Sequence, residues 1–108
     1  MEYNYKTLEA TVINHVATVA LNRVDSLNAL NFELAKDIAD VFHGLDRDDD
    51  VWVVILKSNA RIFSAGLDLM SFGSRGVTES PRRLLEIPVK EKDLFDCCHA
   101  IEDCRKPV

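Results

Sequence analysis

The sequence predicts one α/β domain, and the order of strand-like and helix-like segments in its first half carries that prediction. Residues 8–13 and 16–21 are rich in Val, Thr and Ile, as expected for two antiparallel strands. Apolar residues then recur every three or four positions over 30–45, which predicts an amphipathic helix that ends before Asp46. Residues 51–56 are apolar at every position, which is typical of a parallel strand covered on both faces.

Turn and capping residues separate these elements. Asn14-His15 is predicted to form the turn between the two strands, and residues 22–28 form a polar connector. Either Asn28 or Asn31 can cap the helix, because an asparagine side chain accepts a hydrogen bond from a free N–H at a helix start. Residues 46–50 (DRDDD) are predicted to form a solvated acidic loop.

The last part of the chain predicts a second amphipathic helix over about 90–104. One stripe of this helix carries Leu94, Cys97, Ile101 and Cys104. Pro107 then starts an extended segment, and Val108 is predicted to be the first residue of another buried strand. We therefore interpret residues 1–108 as the N-terminal part of a single longer domain, because a sheet left open at this point would expose an unpaired edge.

Composition excludes several classes of function. The chain has 108 residues with 18 acidic and 13 basic side chains, so a net charge of −5 leaves no basic footprint for nucleic acid or an anionic membrane. No apolar run approaches the roughly 18–20 residues that cross a bilayer. The three cysteines all lie in the last twelve residues, which argues against a disulfide scaffold and favours an intracellular compartment.

The segment 63–69 (FSAGLDL) is the most informative for chemistry. Small residues and a glycine after a buried strand let the backbone approach a ligand closely. A helical turn predicted over 67–72 would also direct unpaired N–H groups outward, and such donors bind an anion or an oxygen that becomes negative during a reaction. The alternative is a tight strand-to-helix turn in which Asp68 only caps the turn.

Three segments follow one another in a characteristic order: Asn22-Arg23 with 27–31 (LNALN), the strand at 51–56 and the segment 63–69. Together, over roughly residues 10–70, they resemble the first half of the crotonase (enoyl-CoA hydratase/isomerase) superfamily. It implies a spiral of ββα units, of which this chain is an incomplete, N-terminal portion. It also implies binding of acyl-CoA thioesters, whose carbonyl oxygen two backbone N–H groups stabilise as an enolate.

The resemblance also implies roles for individual residues. The Leu67 N–H becomes the first oxyanion donor and is the catalytic group expected in this chain. Substrate-binding positions carried over by the same resemblance are Ala65, Gly66, Leu67, Asp68, Leu69, Ser26, Leu27 and Ala29. Asp25 stands near a position where many relatives have a cation for the coenzyme A phosphates, so the phosphate contact is not carried over. No metal and no separate cofactor are expected, because coenzyme A is part of the substrate.

The sequence 66–72 (GLDLMSF) and the ending 101–108 (IEDCRKPV) resemble Δ3,5-Δ2,4-dienoyl-CoA isomerases in particular. That resemblance implies an isomerase of fatty acid β-oxidation, in mitochondria or peroxisomes, that forms homotrimers or hexamers. The second oxyanion donor and the two carboxylates that move protons would follow Val108, so the chain alone is expected to be inactive. The alternatives are an enoyl-CoA hydratase and a truncated, non-catalytic module that binds coenzyme A or assembles with partners.

Other polar clusters favour structural roles. Cys97, Cys98 and His99 are adjacent in a predicted helix, so their side chains point in different directions and cannot all reach one metal ion. His15 and His43 lie apart, with no nucleophile pattern near either, and are expected to be solvated.

Overall fold

The computed structural model describes residues 3–67 and 96–108, which form a three-stranded sheet and two helices. The strands are β1 (Leu8–Ile13), β2 (Val16–Leu21) and β3 (Val53–Ser58), the helices are α1 (Phe32–Arg47) and α2 (Asp96–Asp103), and a short 3₁₀ helix covers Val24–Ser26. In the sheet order β1-β2-β3, β2 is antiparallel to β1 and parallel to β3. The described part thus contains one ββα unit followed by a parallel strand.

The β1–β2 hairpin confirms the predicted strand bounds. Asn14 and His15 both have positive φ angles, 51° and 69°, and they form the two-residue turn that joins the strands. His15 is exposed, as predicted, but its ring stacks on Trp52 with the ring centres 3.9 Å apart and the planes 4° from parallel. The hairpin turn therefore contacts the residue that precedes β3.

Helix α1 begins directly after Asn31, one of the two predicted caps, and it ends later than predicted. The Asn31 side chain accepts the Leu34 N–H at 2.9 Å, so Asn31 is the cap and Asn28 is not. The helix continues through Arg47, and the prediction that it ends before Asp46 is wrong. The cause lies far along the chain: Lys106 donates to the carbonyl oxygens of Leu45 and Asp48, and a cation at a helix C-terminus stabilises the last turn.

The acidic run 46–50 is correspondingly not a solvated loop. Asp46 belongs to α1 and accepts hydrogen bonds from the Arg105 backbone N–H at 2.8 Å and from its guanidinium at 3.2 Å. Asp48 accepts the Tyr3 hydroxyl at 2.8 Å and the Asp50 N–H at 3.0 Å. These contacts fasten both ends of the described chain to the end of α1.

These hydrogen bonds predict acid sensitivity. Donation from Tyr3 and Asp50 lowers the pKa of Asp48, and donation from Arg105 lowers the pKa of Asp46, both below the ordinary value of 3.8. Because the folded state binds these protons less tightly, its extra stability is fully present well above pH 3.8 and is lost as the pH falls from there through the lowered pKa values. We expect the free energy of unfolding, measured with urea, to fall progressively below about pH 5.

The double variant Asp46→Asn, Asp48→Asn should flatten this pH dependence, because asparagine accepts hydrogen bonds without titrating. Asp49→Asn is the matched control, since Asp49 is exposed and makes no hydrogen bond within the described residues. If the double variant keeps the full acid-induced loss, these two carboxylates are not its source.

The core lies between α1, α2 and one face of the sheet. Every buried α1 residue faces this core: Leu34, Ala35, Ile38, Val41, Phe42 and Leu45. The sheet contributes Leu8, Ala17, Val19, Leu21 and Val54, and α2 contributes Cys97 and Ala100. The alternation of buried and exposed residues along β1 and β3 follows from the two-residue period of a strand.

The prediction that β3 is covered on both faces is wrong for the described residues. The strand covers Val53–Ser58, two positions later than predicted, and Ile55 on its outer face is 49% exposed. A run of apolar residues does not by itself say whether one face of a strand is covered or both, and the exposure of Ile55 shows that its outer face is not covered by the described residues. Val108 is 54% exposed and not buried as predicted, although the Pro107 carbonyl does accept the Val54 N–H at 2.9 Å.

The predicted second helix is confirmed over Asp96–Asp103, and the earlier part of the predicted range 90–104 lies outside the described residues. Among the described residues, neither α1 nor α2 is long and apolar enough to span a membrane.

Candidate functional site

Two loops meet at the carboxyl ends of β2 and β3: the first covers residues 22–31, and the second covers residues 59–67. The resemblance assigned the substrate-binding positions to these loops. The Ala65 N–H donates to the Leu27 carbonyl at 2.9 Å, and the Leu30 N–H donates to the Gly66 carbonyl at 2.6 Å. Leu30 and Leu67 form an isolated parallel bridge. Segments separated by more than thirty residues in sequence are therefore held together by backbone hydrogen bonds.

Asn28 is the side chain that joins the two loops. It is fully buried, its Oδ1 accepts the Arg23 N–H at 2.8 Å, and its Nδ2 donates to Ser58 Oγ at 2.7 Å and to the Phe63 carbonyl at 3.1 Å. Its own carbonyl accepts the Ser64 hydroxyl at 2.8 Å. Sequence reasoning treated Asn28 only as a possible helix cap, so it missed this connecting role.

The first loop is held in a compact conformation by hydrogen bonds among its own residues. A 3₁₀ helix over Val24–Ser26 is followed by Leu27 and Asn28, which have positive φ angles of 51° and 56°. The Arg23 guanidinium donates to the Ala29 carbonyl and to Ser26 Oγ, so this cation is engaged within the loop. A shallow cleft lined by residues 22–26 opens beside it, and Asp25 lies in that cleft.

In the second loop, the peptide that joins Gly66 to Leu67 has a hydrogen-bonded carbonyl group and an N–H group with no partner among the described residues. Its carbonyl accepts the Leu30 N–H, and in a planar trans peptide the N–H points opposite to the carbonyl. The Leu67 N–H is therefore directed away from Leu30, and it makes no hydrogen bond to residues 3–67 or 96–108. A fixed donor of this kind can bind a carbonyl oxygen.

The position of that donor depends on Gly66. Its φ of +90° is a conformation that other residues adopt at a cost, and its N–H donates to Ser64 Oγ at 3.0 Å. Ser64 in turn donates to the Asn28 carbonyl, so a chain of hydrogen bonds fixes the turn that precedes Leu67.

Gly66→Ala is expected to destabilise the protein by about 1–3 kcal/mol through backbone strain alone. A Cβ at this position meets no described atom within 4 Å, so steric overlap is not the reason. Gly66→Asn should cost less, because asparagine adopts positive φ more readily. Urea unfolding of both variants tests the order, and an equal loss for Ala and Asn would contradict a conformational origin.

The structure brings together six of the eight positions that were assigned to substrate binding. The six share the hydrogen-bonded network of the two loops: Ser26, Leu27, Ala29, Ala65, Gly66 and Leu67. Ser26 is exposed, and its carbonyl accepts the Ala29 N–H at 2.9 Å, whereas Asp68 and Leu69 lie outside the described residues. The helical turn predicted over 67–72 also falls there, except that Leu67 itself is extended in its bridge with Leu30.

The cysteines and histidines do not converge on one point. Cys97 is buried, whereas Cys98 and His99 are exposed on the same helix. Within residues 3–67 and 96–108, no group of three or more His, Cys, Asp or Glu side chains is arranged to hold a metal ion.

Comparison with known families and structures points to one family. The profile of the family described as enoyl-CoA hydratase/isomerase matches residues 11–108. Among solved structures, an enoyl-CoA hydratase/carnithine racemase homologue from Magnetospirillum magneticum superposes with a TM-score of 0.77 at 28% identity, covering 97% of this chain and 37% of that one. An enoyl-CoA hydratase homologue from Streptomyces coelicolor gives 0.76 at 29% identity, covering 100% and 38%.

Curated relatives give the same family. The chain is 34% identical to the peroxisomal Δ(3,5)-Δ(2,4)-dienoyl-CoA isomerase of Arabidopsis thaliana, over 97% of this chain and 41% of that protein. It is 29% identical to the mitochondrial enzyme of that name from Mus musculus, over 99% and 34%. A protein named as a probable enoyl-CoA hydratase of Mycobacterium leprae is 30% identical over 70% and 30%. The chain thus spans 30–41% of the length of these relatives.

Proposed function

Because the chain belongs to the enoyl-CoA hydratase/isomerase family and has its crotonase fold, we propose that it binds the thioester end of an acyl-CoA through the two loops described above. The observation that carries the proposal is the Gly66–Leu67 peptide, whose carbonyl is bound to Leu30 and whose N–H is directed away from it. The Leu67 N–H is then one of two donors to the thioester oxygen, and the protein acts in fatty acid metabolism.

A backbone donor suits this chemistry because charge develops on the thioester oxygen only as a neighbouring C–H bond breaks. A donor already fixed in place stabilises that enolate without rearranging during the reaction, and losing one such donor typically lowers the rate by about 10²–10³-fold. The Leu30 and Ser64 contacts on either side of Gly66 supply the rigidity that this role needs.

The favoured reaction is the shift of two double bonds in a dienoyl-CoA. Removal of a C2 proton from a 3,5-dienoyl thioester gives an enolate conjugated along the chain, and return of a proton to C6 gives the 2,4-diene with no net change in atoms. The carboxylates that move these protons are assigned by resemblance to the sequence that follows Val108. The isomerases named above support this choice because they match almost the whole chain.

The remaining substrate contacts are proposed on the same basis. By the resemblance, the backbone around Ser26, Leu27 and Ala29 lies near the nucleotide, and residues 65–69 are assigned to the thioester and adenine side. Asp25 in the neighbouring cleft carries the charge that repels phosphate, so the coenzyme A phosphates are bound elsewhere. We further propose that the whole protein uses no separate cofactor, forms homotrimers or hexamers, and works in mitochondria or peroxisomes, the compartments in the names of the isomerase relatives.

Two substrates separate the candidate functions. The purified whole protein is supplied with a 3,5-dienoyl-CoA, whose isomerisation produces the ultraviolet absorbance of a diene conjugated with the thioester. A separate sample receives a 2-enoyl-CoA, whose hydration removes absorbance. Turnover of the diene alone supports the isomerase. Turnover of the enoyl-CoA alone supports the hydratase, the name carried by the M. leprae relative. Binding without turnover of either supports a non-catalytic module, and absence of binding contradicts the proposal.

A further inference from the structure

Two neighbouring cysteines in α2 differ sharply in their surroundings. Cys97 is 3% exposed and belongs to the core cluster that joins α2 to α1, whereas Cys98 is exposed to solvent. Their sulfur atoms are 4.0 Å apart. One thiol can therefore meet a reagent in solution, while the second lies close behind it in the helix interface.

We propose that Cys98 is a site of thiol–disulfide exchange and that Cys97 is its resolving thiol, with a low-molecular-weight disulfide as the reactant. The Cys98 thiolate attacks one sulfur of that disulfide and forms a mixed disulfide, while the other half leaves as a thiolate. Cys97 then loses its proton and attacks the Cys98 sulfur, which forms the Cys97–Cys98 disulfide and releases the second half. One small disulfide is reduced to two thiols, and the cysteine pair is oxidised by two electrons.

The second step is opposed by the folded helix. Side chains at adjacent helix positions do not face each other, and a disulfide needs its sulfurs about 2.05 Å apart. The two Cα atoms are joined by a single peptide, about 3.8 Å apart, which is shorter than the roughly 4.4–6.8 Å that disulfides usually span. Burial, together with the nearby Cys98, also raises the pKa of the Cys97 thiol to about 11. Closure therefore requires α2 to unwind at this point and Cys97 to leave its contact with α1.

The pair thus couples oxidation to the structure of this end of the chain. Arg105 and Lys106, which bind the end of α1, follow α2 directly, so unwinding of α2 loosens these contacts as well. Oxidation is expected to lower helicity and stability together, and reduction by a dithiol is expected to restore both.

The test uses glutathione disulfide as the reactant and a Cys104→Ser parent, so that only the two cysteines of the pair remain. Intact mass and thiol labelling should show a transient mixed disulfide followed by the internal disulfide. In the same background, Cys97→Ser should stop at the mixed disulfide, and Cys98→Ser should stay reduced over the same time. If Cys97→Ser fails to fold, Cys97→Ala replaces it. A parent that stops at the mixed disulfide, or a Cys98→Ser variant that reacts as fast as the parent, overturns the proposal.

Gating by the helix is measured with a matched pair at His99, which is exposed and lies in the interior of α2. His99→Gly and His99→Ala both remove the imidazole, but glycine weakens a helix interior relative to alanine enough to raise its opening about fivefold. The internal disulfide should form about fivefold faster in the glycine variant than in the alanine variant. Equal rates would show that closure does not depend on unwinding of α2.

Discussion

In the whole protein, Leu67→Pro is expected to lower kcat by about 10²–10³-fold, because proline has no backbone N–H and one oxyanion donor is lost. The Leu67 N–H makes no hydrogen bond within the described residues, so its removal leaves the bonds between the two loops in place. KM should change much less than kcat, since the oxygen carries full charge only in the transition state. Steady-state kinetics with the 3,5-dienoyl-CoA measures both constants.

Leu67→Ala is the matched control for this prediction. It removes a side chain that is half exposed and keeps the N–H, so kcat should stay within a few-fold of the parent. Urea unfolding of both variants reports whether the fold is kept. A proline variant that is stably folded and retains the parent kcat would remove Leu67 from the catalytic role.

Asn28→Ala is expected to destabilise the protein by about 2–4 kcal/mol. The change leaves the Arg23 N–H and the Phe63 carbonyl without their buried partner, and it places alanine at a φ of +56°. Because Asn28 joins the two loops, acyl-CoA affinity should fall along with stability. Urea unfolding and isothermal titration with an acyl-CoA measure the two effects.

Asn14→Ala separates the two contributions to this loss. Asn14 has a similar φ of 51° but is exposed in the β1–β2 turn, so its replacement should cost only about 1–2 kcal/mol of backbone preference. Asn28→Asp gives a second comparison, since it keeps the acceptor for Arg23 and loses both donated hydrogen bonds. A loss for Asn28→Ala no larger than that for Asn14→Ala would contradict the connecting role.

Local patterns predicted the elements whose contacts are local. The β1–β2 hairpin was predicted to the residue, because its strands are β-branched and its turn contains Asn14. The end of α1 was predicted two residues early, because the acidic residues after Leu45 suggest a loop. The last turn of the helix is stabilised by hydrogen bonds from Arg105 and Lys106, about sixty positions away in sequence. No local sequence pattern predicts these contacts.

The same distinction holds for the site. The resemblance identified the loops that contain Leu27 and Leu67. In the structure, backbone hydrogen bonds hold these two loops together. Asn28 was missed because an asparagine before an amphipathic helix is typical of a cap. It is bound by Ser58 and Phe63, which lie at the end of β3 and beyond it and are brought close by the pairing of β3 with β2. The roles assigned to the Leu67 N–H and to the substrate-binding positions remain predictions.

The most direct measurement of the central claim is the amide resonance of Leu67 in the ¹⁵N-labelled protein during titration with a saturated acyl-CoA, which binds without reacting. The account predicts that the Leu67 amide proton moves downfield as its N–H becomes hydrogen-bonded to the thioester oxygen. The amides of Thr11 and Thr18, which stand opposite each other as a hydrogen-bonded pair of β1 and β2, should barely move. Binding that shifts other resonances of the two loops and leaves the Leu67 amide unchanged would contradict the oxyanion role.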